Sequence, residues 1–338
     1  MTKWYEIAGP EADVVISTRI RIARNLEGYK FPQGMTLEEA EKLTDEILNG
    51  VKSIPNNDNY KFIRIGNLSP IERMAYIEEH LISPSLIQNI DKGSFLLRED
   101  ENMTIMINEE DHMRAQIILP GLNLEKGWKI CDEVDDYLEK ALDYAFHEDF
   151  GYLTACPTNV GTGLRASAMV HLPSLTMTGY INNLVQGLNK IGLTARGIYG
   201  EGTNVVGNLY QISNQTTLGE KEEKIIEKLK NVIYQIIEKE RDLRKGIFSK
   251  NEIEMEDMIM RSLGILKYSR KMSSVEAMKH LSNVRLGMEM GIIKDMDFKD
   301  ISKLTIDIQE ASIQKSLEKS MDKEERDIER ATLIRKSI

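Results

Sequence analysis

An α+β fold followed by a helical C-terminal part is what this sequence predicts, and three observations carry the prediction. Segments with the alternation of β-strands are interleaved with capped helices through the first half. Ten glycines fall between Gly151 and Gly207, a density that suits loops and close backbone turns. From residue 219 onward, apolar residues recur at helical spacing, with Lys and Glu filling the other positions.

Residues 14–22 make the first expected strand. Its odd positions Ser17, Arg19 and Arg21 share one face, and Thr18, Ile20 and Ile22 share the other. Arginines two apart on a strand stand about 7 Å apart at their Cα atoms. Thr36 with Glu39 makes a capping box, and the helix it opens carries Ala40, Leu43 and Ile47 on one side. Ser69-Pro70 with Glu72 is a second helix start, with proline at the first helical position. Residues 103–108 form a short strand that delivers Glu109 and Glu110 at its end. A helix is expected over 132–147, with Val134, Leu138, Ala141, Leu142 and Ala145 as its apolar stripe. Residues 219–245 make a long amphipathic helix. The shift in composition over 246–254 divides a first domain, 1–248, from a helical second domain, 249–338.

A chain of 338 residues has the length of two domains, and 41% hydrophobic residues supply a core for each. The net charge of −10 argues against sequence-independent nucleic-acid binding and suits basic proteins or cationic ligands. Two cysteines, Cys131 and Cys156, are too few for a disulfide framework or a zinc site, so a reducing compartment is expected. The first residues lack the apolar run of a signal peptide, and no stretch approaches 18 uncharged apolar residues. The expectation is a cytoplasmic protein without a membrane partner.

Chemistry concentrates in two kinds of residue. Arg19, Arg21, Arg24, Arg114, Arg165 and Arg196 lie in short motifs far apart in sequence; converging in space, they would cage a polyphosphate. Asn108-Glu109-Glu110-Asp111-His112 supplies carboxylates, which beside such a cage would want a cation, either a metal or a basic substrate. Taken alone, the same residues also fit a solvated strand face and an exposed acidic turn. The loop Cys156-Pro157-Thr158-Asn159-Val160-Gly161-Thr162-Gly163 lacks Walker A spacing but could form a backbone nest for an anion. Cys156 is either a small core residue or a thiolate favoured by nearby arginines.

The stretches Ser17–Arg21, Asn108–Arg114 and Cys156–Arg165 resemble the catalytic domain of the phosphagen (guanidino) kinases. Gly197-Ile198-Tyr199-Gly200-Glu201-Gly202 and Arg326-Asp327-Ile328-Glu329-Arg330-Ala331 resemble one branch of that family, the bacterial protein-arginine kinases. The resemblance spans nearly the whole chain. It implies a curved antiparallel β-sheet flanked by helices, then a helical domain for phosphoarginine binding and dimerisation. It assigns ATP contacts to Ser17, Thr18, Arg19, Ile20 and Arg21, to His80 and Arg114, and to Arg165, Ala166, Ser167, Ala168 and Met169. Arg196, Gly197, Ile198, Tyr199, Gly200 and Glu201 complete that set, with Arg24 as an addition. Met169 stands where small-guanidine kinases commonly have histidine, and Gln211 where many have aspartate; Gln211 receives no catalytic role.

The resemblance further implies that Glu110 is the base, that Glu201 is the second carboxylate clamping the guanidinium, and that the Cys156 thiolate tunes it. A guanidinium, protonated with a pKa above about 12, must lose a proton as it attacks phosphorus. Mg²⁺ is expected to be held mostly by nucleotide and water, with Glu109 or Asp111 as outer contributors and no dedicated protein metal site. Kinases of free arginine or creatine carry a further helical domain ahead of the catalytic one. None is expected before Ser17, so an open site that accepts arginine on a protein is favoured over a small guanidino compound. Arg326, Asp327, Ile328, Glu329, Arg330 and Ala331 are implied to form an allosteric phosphoarginine site, although ordinary helix salt-bridging explains the same spacing. The implied partners are a basic heat-shock transcriptional repressor as substrate, a zinc-finger-containing activator, a Clp ATPase or protease, and a second copy in a homodimer, within a stress response. A non-catalytic phosphoarginine-binding adaptor is the alternative outside enzymology.

Overall fold

A computed structural model describes residues 3–197 and 205–338. Its first part is built on eight antiparallel strands: β1 (Val15–Arg24), β2 (Tyr60–Arg64), β3 (Ser94–Arg98), β4 (Met103–Ile107), β5 (Met113–Pro120), β8 (Leu164–His171), β9 (Leu193–Gly197) and β10 (Leu209–Asn214). Their spatial order is β2-β3-β4-β5-β1-β8-β10-β9, which puts the arginine strand β1 near the middle. A separate small hairpin pairs β6 (Phe146–His147) with β7 (Gly151–Tyr152).

Alternation decides what each face does. On one face Ile20, Ile22, Ala166, Ala168, Ile117 and Ile212 enter the main core. Three helices cover that face: α1 (Leu37–Val51), α3 (Leu124–Glu139) and α6 (Glu222–Lys250), which bring Leu43, Leu138 and Leu229 into the same core. The α3 backbone lies so close to β1 that a Cβ on Gly127 would stand 3.1 Å from Ile20 Cγ1. On the other face, Phe95, Leu97 and Met106 meet Leu81 and Leu86 beside α2 (Pro70–Glu78). The strand centre on that second face carries the arginines.

Short helices α4 (Pro173–Met177) and α5 (Tyr180–Lys190) follow β8. After α6 the helix breaks at Asn251, whose φ of −140° and ψ of 50° leave the α region. Five helices complete the chain: α7 (Glu252–Tyr268), α8 (Ser274–Glu289), α9 (Phe298–Asp307), α10 (Glu310–Ser316) and α11 (Lys323–Ser337). They share their own core around Leu266, Leu281, Val284, Leu304, Ala331 and Ile334.

The two parts are joined by buried polar contacts as well as by packing. Glu289 of α8 is buried, 3.0 Å from Arg244 Nη2 of α6 and 3.1 Å from His171 Nδ1 at the end of β8. Glu78 of α2 caps α10, accepting from Ala311 N at 2.9 Å and Ser312 N at 2.7 Å. A carboxylate at a helix N-terminus satisfies otherwise unpaired amides. Among the described residues, no helix is long and apolar enough to cross a membrane.

Both expected capping boxes are present, at Thr36 and Ser69. The helix expected over 132–147 is displaced: α3 starts at Leu124 and ends at Glu139. Leu142 leaves the helical path to pack against the α1 backbone, where a Cβ on Gly50 would come within 2.7 Å of it. Tyr144 instead bridges Leu26. Tertiary burial overrides the local apolar period there.

Candidate active site

Strand register brings the separate arginine motifs together. Arg21 on β1 stands directly opposite Arg165 on β8, and Arg19 opposite Ser167. Arg114 on β5 pairs with Ala23, while Arg196 on β9 pairs with Gln211 on β10. These positions point to the same side of the sheet. Arg19, Arg21, Arg114, Arg165 and Arg196 line one cavity of about 340 Å³, together with Glu110, Cys156 and Gln211.

The cluster carries unsatisfied positive charge. Burial, with Arg114 close by, pushes Arg19 down to about 10. Burial and the charges of Arg19, Arg114 and Arg165 push Arg21 well below the ordinary guanidinium range. Burial and Arg196 lower Arg165. The buried Nε atoms of Arg21 and Arg114 have no hydrogen-bond partner. Guanidinium groups have only donors to offer, so a bound polyanion would relieve both the repulsion and the unmet donors.

Each residue of the acidic turn has a separate task. Asn108, at φ +57°, is anchored by its side chain to Ala40 O and Thr44 Oγ1 of α1. Glu109 is held by Arg114 Nη1 at 2.7 Å and by the Ser83 hydroxyl. Asp111 accepts from Asn25 Nδ2 at 2.7 Å and from Ala155 N at 2.6 Å, which ties the turn to the residue before Cys156. His112 Nδ1 accepts from Leu26 N, so its Nε2 is the donor to Lys30 O. Glu110 alone is left to face the cavity. Burial, then Asp111 and Glu109, raise its carboxyl above the usual range; Arg114 and then the nearby Cys156 pull the other way.

The Cys156 loop is clasped from both sides. Thr217 Oγ1 donates to Thr158 O and Val160 O, and Ala23 N donates to Gly163 O. Gly163 has φ +64°, and a Cβ there would sit 2.5 Å from Ala23 O. The loop holds Cys156 half-buried at the cavity wall, with its Sγ 3.0 Å from Thr158 Oγ1. Cys131 is the core cysteine.

A carboxyl and a thiol therefore face five guanidinium groups across a small cavity. The sequence profile of the ATP:guanido phosphotransferase C-terminal catalytic domain matches residues 39–243. The chain belongs to this family. A second profile, the protein-arginine kinase McsB C-terminal domain, matches residues 252–338, and curated relatives specify the protein-arginine kinase branch. The protein-arginine kinase of Clostridium tetani is 47% identical over 339 residues, covering 100% of this chain and 99% of that one. That of Bacillus subtilis is 44% identical over 100% of this chain and 93% of its own. Among solved structures, lombricine kinase superposes with a TM-score of 0.61 at 27% identity, over 71% of this chain and 69% of that one. The duplicated taurocyamine kinase from Schistosoma mansoni, with bound transition-state analogue components, gives 0.62 at 26% identity over 69% of this chain and 34% of its own. The architecture is thus the phosphagen-kinase fold, an antiparallel sheet with flanking helices followed by a helical bundle.

Against this family the assigned residues divide by face. Ser17, Arg19, Arg21, Arg165, Ser167 and Met169 occupy the cavity side of their strands. Thr18, Ile20, Ala166 and Ala168 turn their side chains to the opposite face; Thr18 donates to Gly121 O, and the other three are in the core. Arg24 is corrected outright. Its guanidinium is buried beneath the sheet, 2.6 Å from Asp135 and 3.5 Å from the Tyr152 ring centroid, and does not join the cage. His80 is near enough to Arg19 that burial and that charge drive its imidazole down to about 3. Arg196 and Gly197 end β9; Ile198, Tyr199, Gly200 and Glu201 lie outside the described residues.

The C-terminal motif is not an open pocket. Arg330 is 1% exposed, with Nε on Ile308 O and Nη1 on Met272 O and Asp327. Ala331 is in the bundle core, Ile328 faces out at 43% exposure, and Arg326 reaches Met321 O and Glu310. Sequence reasoning gave Gln211 no catalytic role, and the structure places it in the cavity wall. Its place opposite Arg196 in β10 is visible only once the strands are paired.

Proposed function

We propose that the protein transfers the γ-phosphoryl group of ATP to the guanidinium of arginine side chains in proteins. One observation carries this reading: Glu110 and Cys156 face Arg19, Arg21, Arg114, Arg165 and Arg196 across one cavity. The arginines bind the polyphosphate and stabilise charge on the transferred group. Glu110 accepts the proton that the attacking nitrogen releases; the P–N bond forms as the P–O bond to ADP breaks. Its raised proton affinity suits a base. Mg²⁺ would neutralise phosphate charge from a shell of nucleotide and water. Both Glu109 oxygens are already engaged by protein donors, which leaves Glu110 as the acidic-turn side chain facing the cavity.

The test is incubation with Mg·ATP and two acceptors, free L-arginine and a basic protein, followed by mass spectrometry without acid, because the phosphoramidate bond is acid-labile. Phosphoarginine on the protein is expected. Modification of free arginine alone favours the small-guanidine reading, which the lombricine and taurocyamine kinase likenesses keep in view. Repressor binding that persists in Glu110→Ala without turnover favours the adaptor reading. The net charge of −10 supports a basic client such as a heat-shock repressor. On the family resemblance we also propose cytoplasmic action in stress response, with a zinc-finger activator, Clp delivery, a homodimer and phosphoarginine sensing at Arg326–Ala331. The burial of Arg330 means that such sensing requires its protein contacts to open.

A further inference from the structure

Gln211 sits inside the arginine cage on β10, in register with Arg196 on one side and Met169 on the other. Its Oε1 accepts from Arg19 Nη2 at 2.8 Å. That orientation is dictated by chemistry: a guanidinium only donates, so the amide oxygen must face it and the amide NH₂ must turn away. Among the described residues the NH₂ has no hydrogen-bond partner, and the side chain lines the cavity.

The charge at position 211 matters here because five guanidinium groups already line the one cavity. Burial first, and then Arg114, pushes Arg19 down, and burial with three neighbouring arginines pushes Arg21 down. A carboxylate at 211 would hold Arg19 equally well, but it would cancel one of the charges that attracts phosphate. It would also place negative charge in the cavity that the phosphates enter. A neutral amide orients Arg19 at no cost in potential and offers a further donor.

We propose that Gln211 is a positioning residue for the nucleotide phosphates, fixing Arg19 while keeping the cage fully positive. This rests on reading the cavity as the ATP phosphate site. The full-length protein is measured as wild type, Gln211→Glu, Gln211→Asn and Gln211→Ala. Glutamic acid is nearly isosteric with glutamine, so its protonation restores the amide's shape and neutrality and isolates the charge effect.

Calorimetric titration with ADP and with adenosine is the first readout. Gln211→Glu is expected to weaken ADP binding about tenfold near pH 8. Adenosine affinity should stay unchanged, and the ADP defect should shrink as the pH falls through the glutamate pKa. Gln211→Ala should raise the KM for ATP more than it lowers kcat, and Gln211→Asn should fall between it and wild type. Equal ADP affinity in Gln211→Glu and wild type at every pH overturns the proposal, as does a defect that is pH-independent and shared by adenosine. Wild type that fails to bind ADP at all overturns the underlying reading of the cavity instead. Circular dichroism melts identify a variant that has not folded; the remaining variants then decide.

Discussion

Arg21 and Arg24 stand three positions apart on one strand, and the parity of their positions separates their tasks. Arg21 faces the cavity with its Nε unpaired. Arg24 faces the helices, paired with Asp135 and stacked on Tyr152. Arg21→Ala should therefore leave stability nearly intact and lower kcat by about 10²–10³. Arg24→Ala leaves a buried carboxylate without its partner and should destabilise the fold by about 3–5 kcal/mol. Urea titration and single-turnover kinetics on both variants check this; equal losses of stability would contradict the face assignment. Glu110 supplies a pH prediction. A base works deprotonated, so activity rises with pH as it ionises, and a raised carboxyl moves that rise upward. Asp111→Asn removes the larger of the two negative contributors and should shift the acid limb of kcat/KM to lower pH. An unchanged limb means that another group controls it.

At the scale of elements, the loop from Cys156 to Gly163 and the strand β1 form one unit. Gly163 takes a left-handed conformation against the Ala23 carbonyl, where no side chain fits. Gly163→Ala should destabilise by about 1–3 kcal/mol. It should also change the rate at which Cys156 reacts with a thiol reagent, because the loop that holds the cysteine must move. A thermal melt and a thiol-labelling time course read the two effects, and an unshifted labelling rate would uncouple the loop from the strand. The acidic turn is similar. Asn108, Asp111 and His112 spend their side chains on α1, Asn25 and the chain after β1, so that Glu110 alone projects.

For the whole molecule, the joint between the catalytic part and the C-terminal bundle is polar and buried. Burial pushes Glu289 up to about 8 against the pull of Arg244 and Arg285. The groups around it are these two arginines, Asp13, whose charge raises it further, and His171, whose imidazole is held neutral by burial and by the same arginines. A carboxyl raised in the fold binds its proton more tightly there than in the unfolded chain. That stability is complete below the ordinary value of 4.5 and is lost as the pH rises to about 8. Glu289→Gln should flatten this decline. Urea midpoints measured across that window should converge or cross between variant and wild type; parallel curves would show that Glu289 is ionised throughout. Because β8 ends at His171 and carries Arg165 near its start, the joint lies on the same strand as the cage.

What the sequence by itself determined is local. Alternation along residues 14–22 separated Arg19 and Arg21 from Ile20 and Ile22, and both capping boxes marked true helix starts. These signals depend on backbone geometry within a few residues, so no distant contact was needed to read them. Family motifs then gave Glu110 and Cys156 the roles proposed for them. What only the tertiary structure decided is which polar groups meet. Arg24 had the same composition signal as Arg19, yet Asp135, 111 positions away, claimed it. Gln211 became part of the cage through pairing with β8 and β9. Arg330, read as open for a ligand, is enclosed by Ile308 and Met272. In each case the deciding partner lies far away in sequence, and burial makes that partner obligatory, because an unmet polar group inside the fold costs more than a rearranged surface.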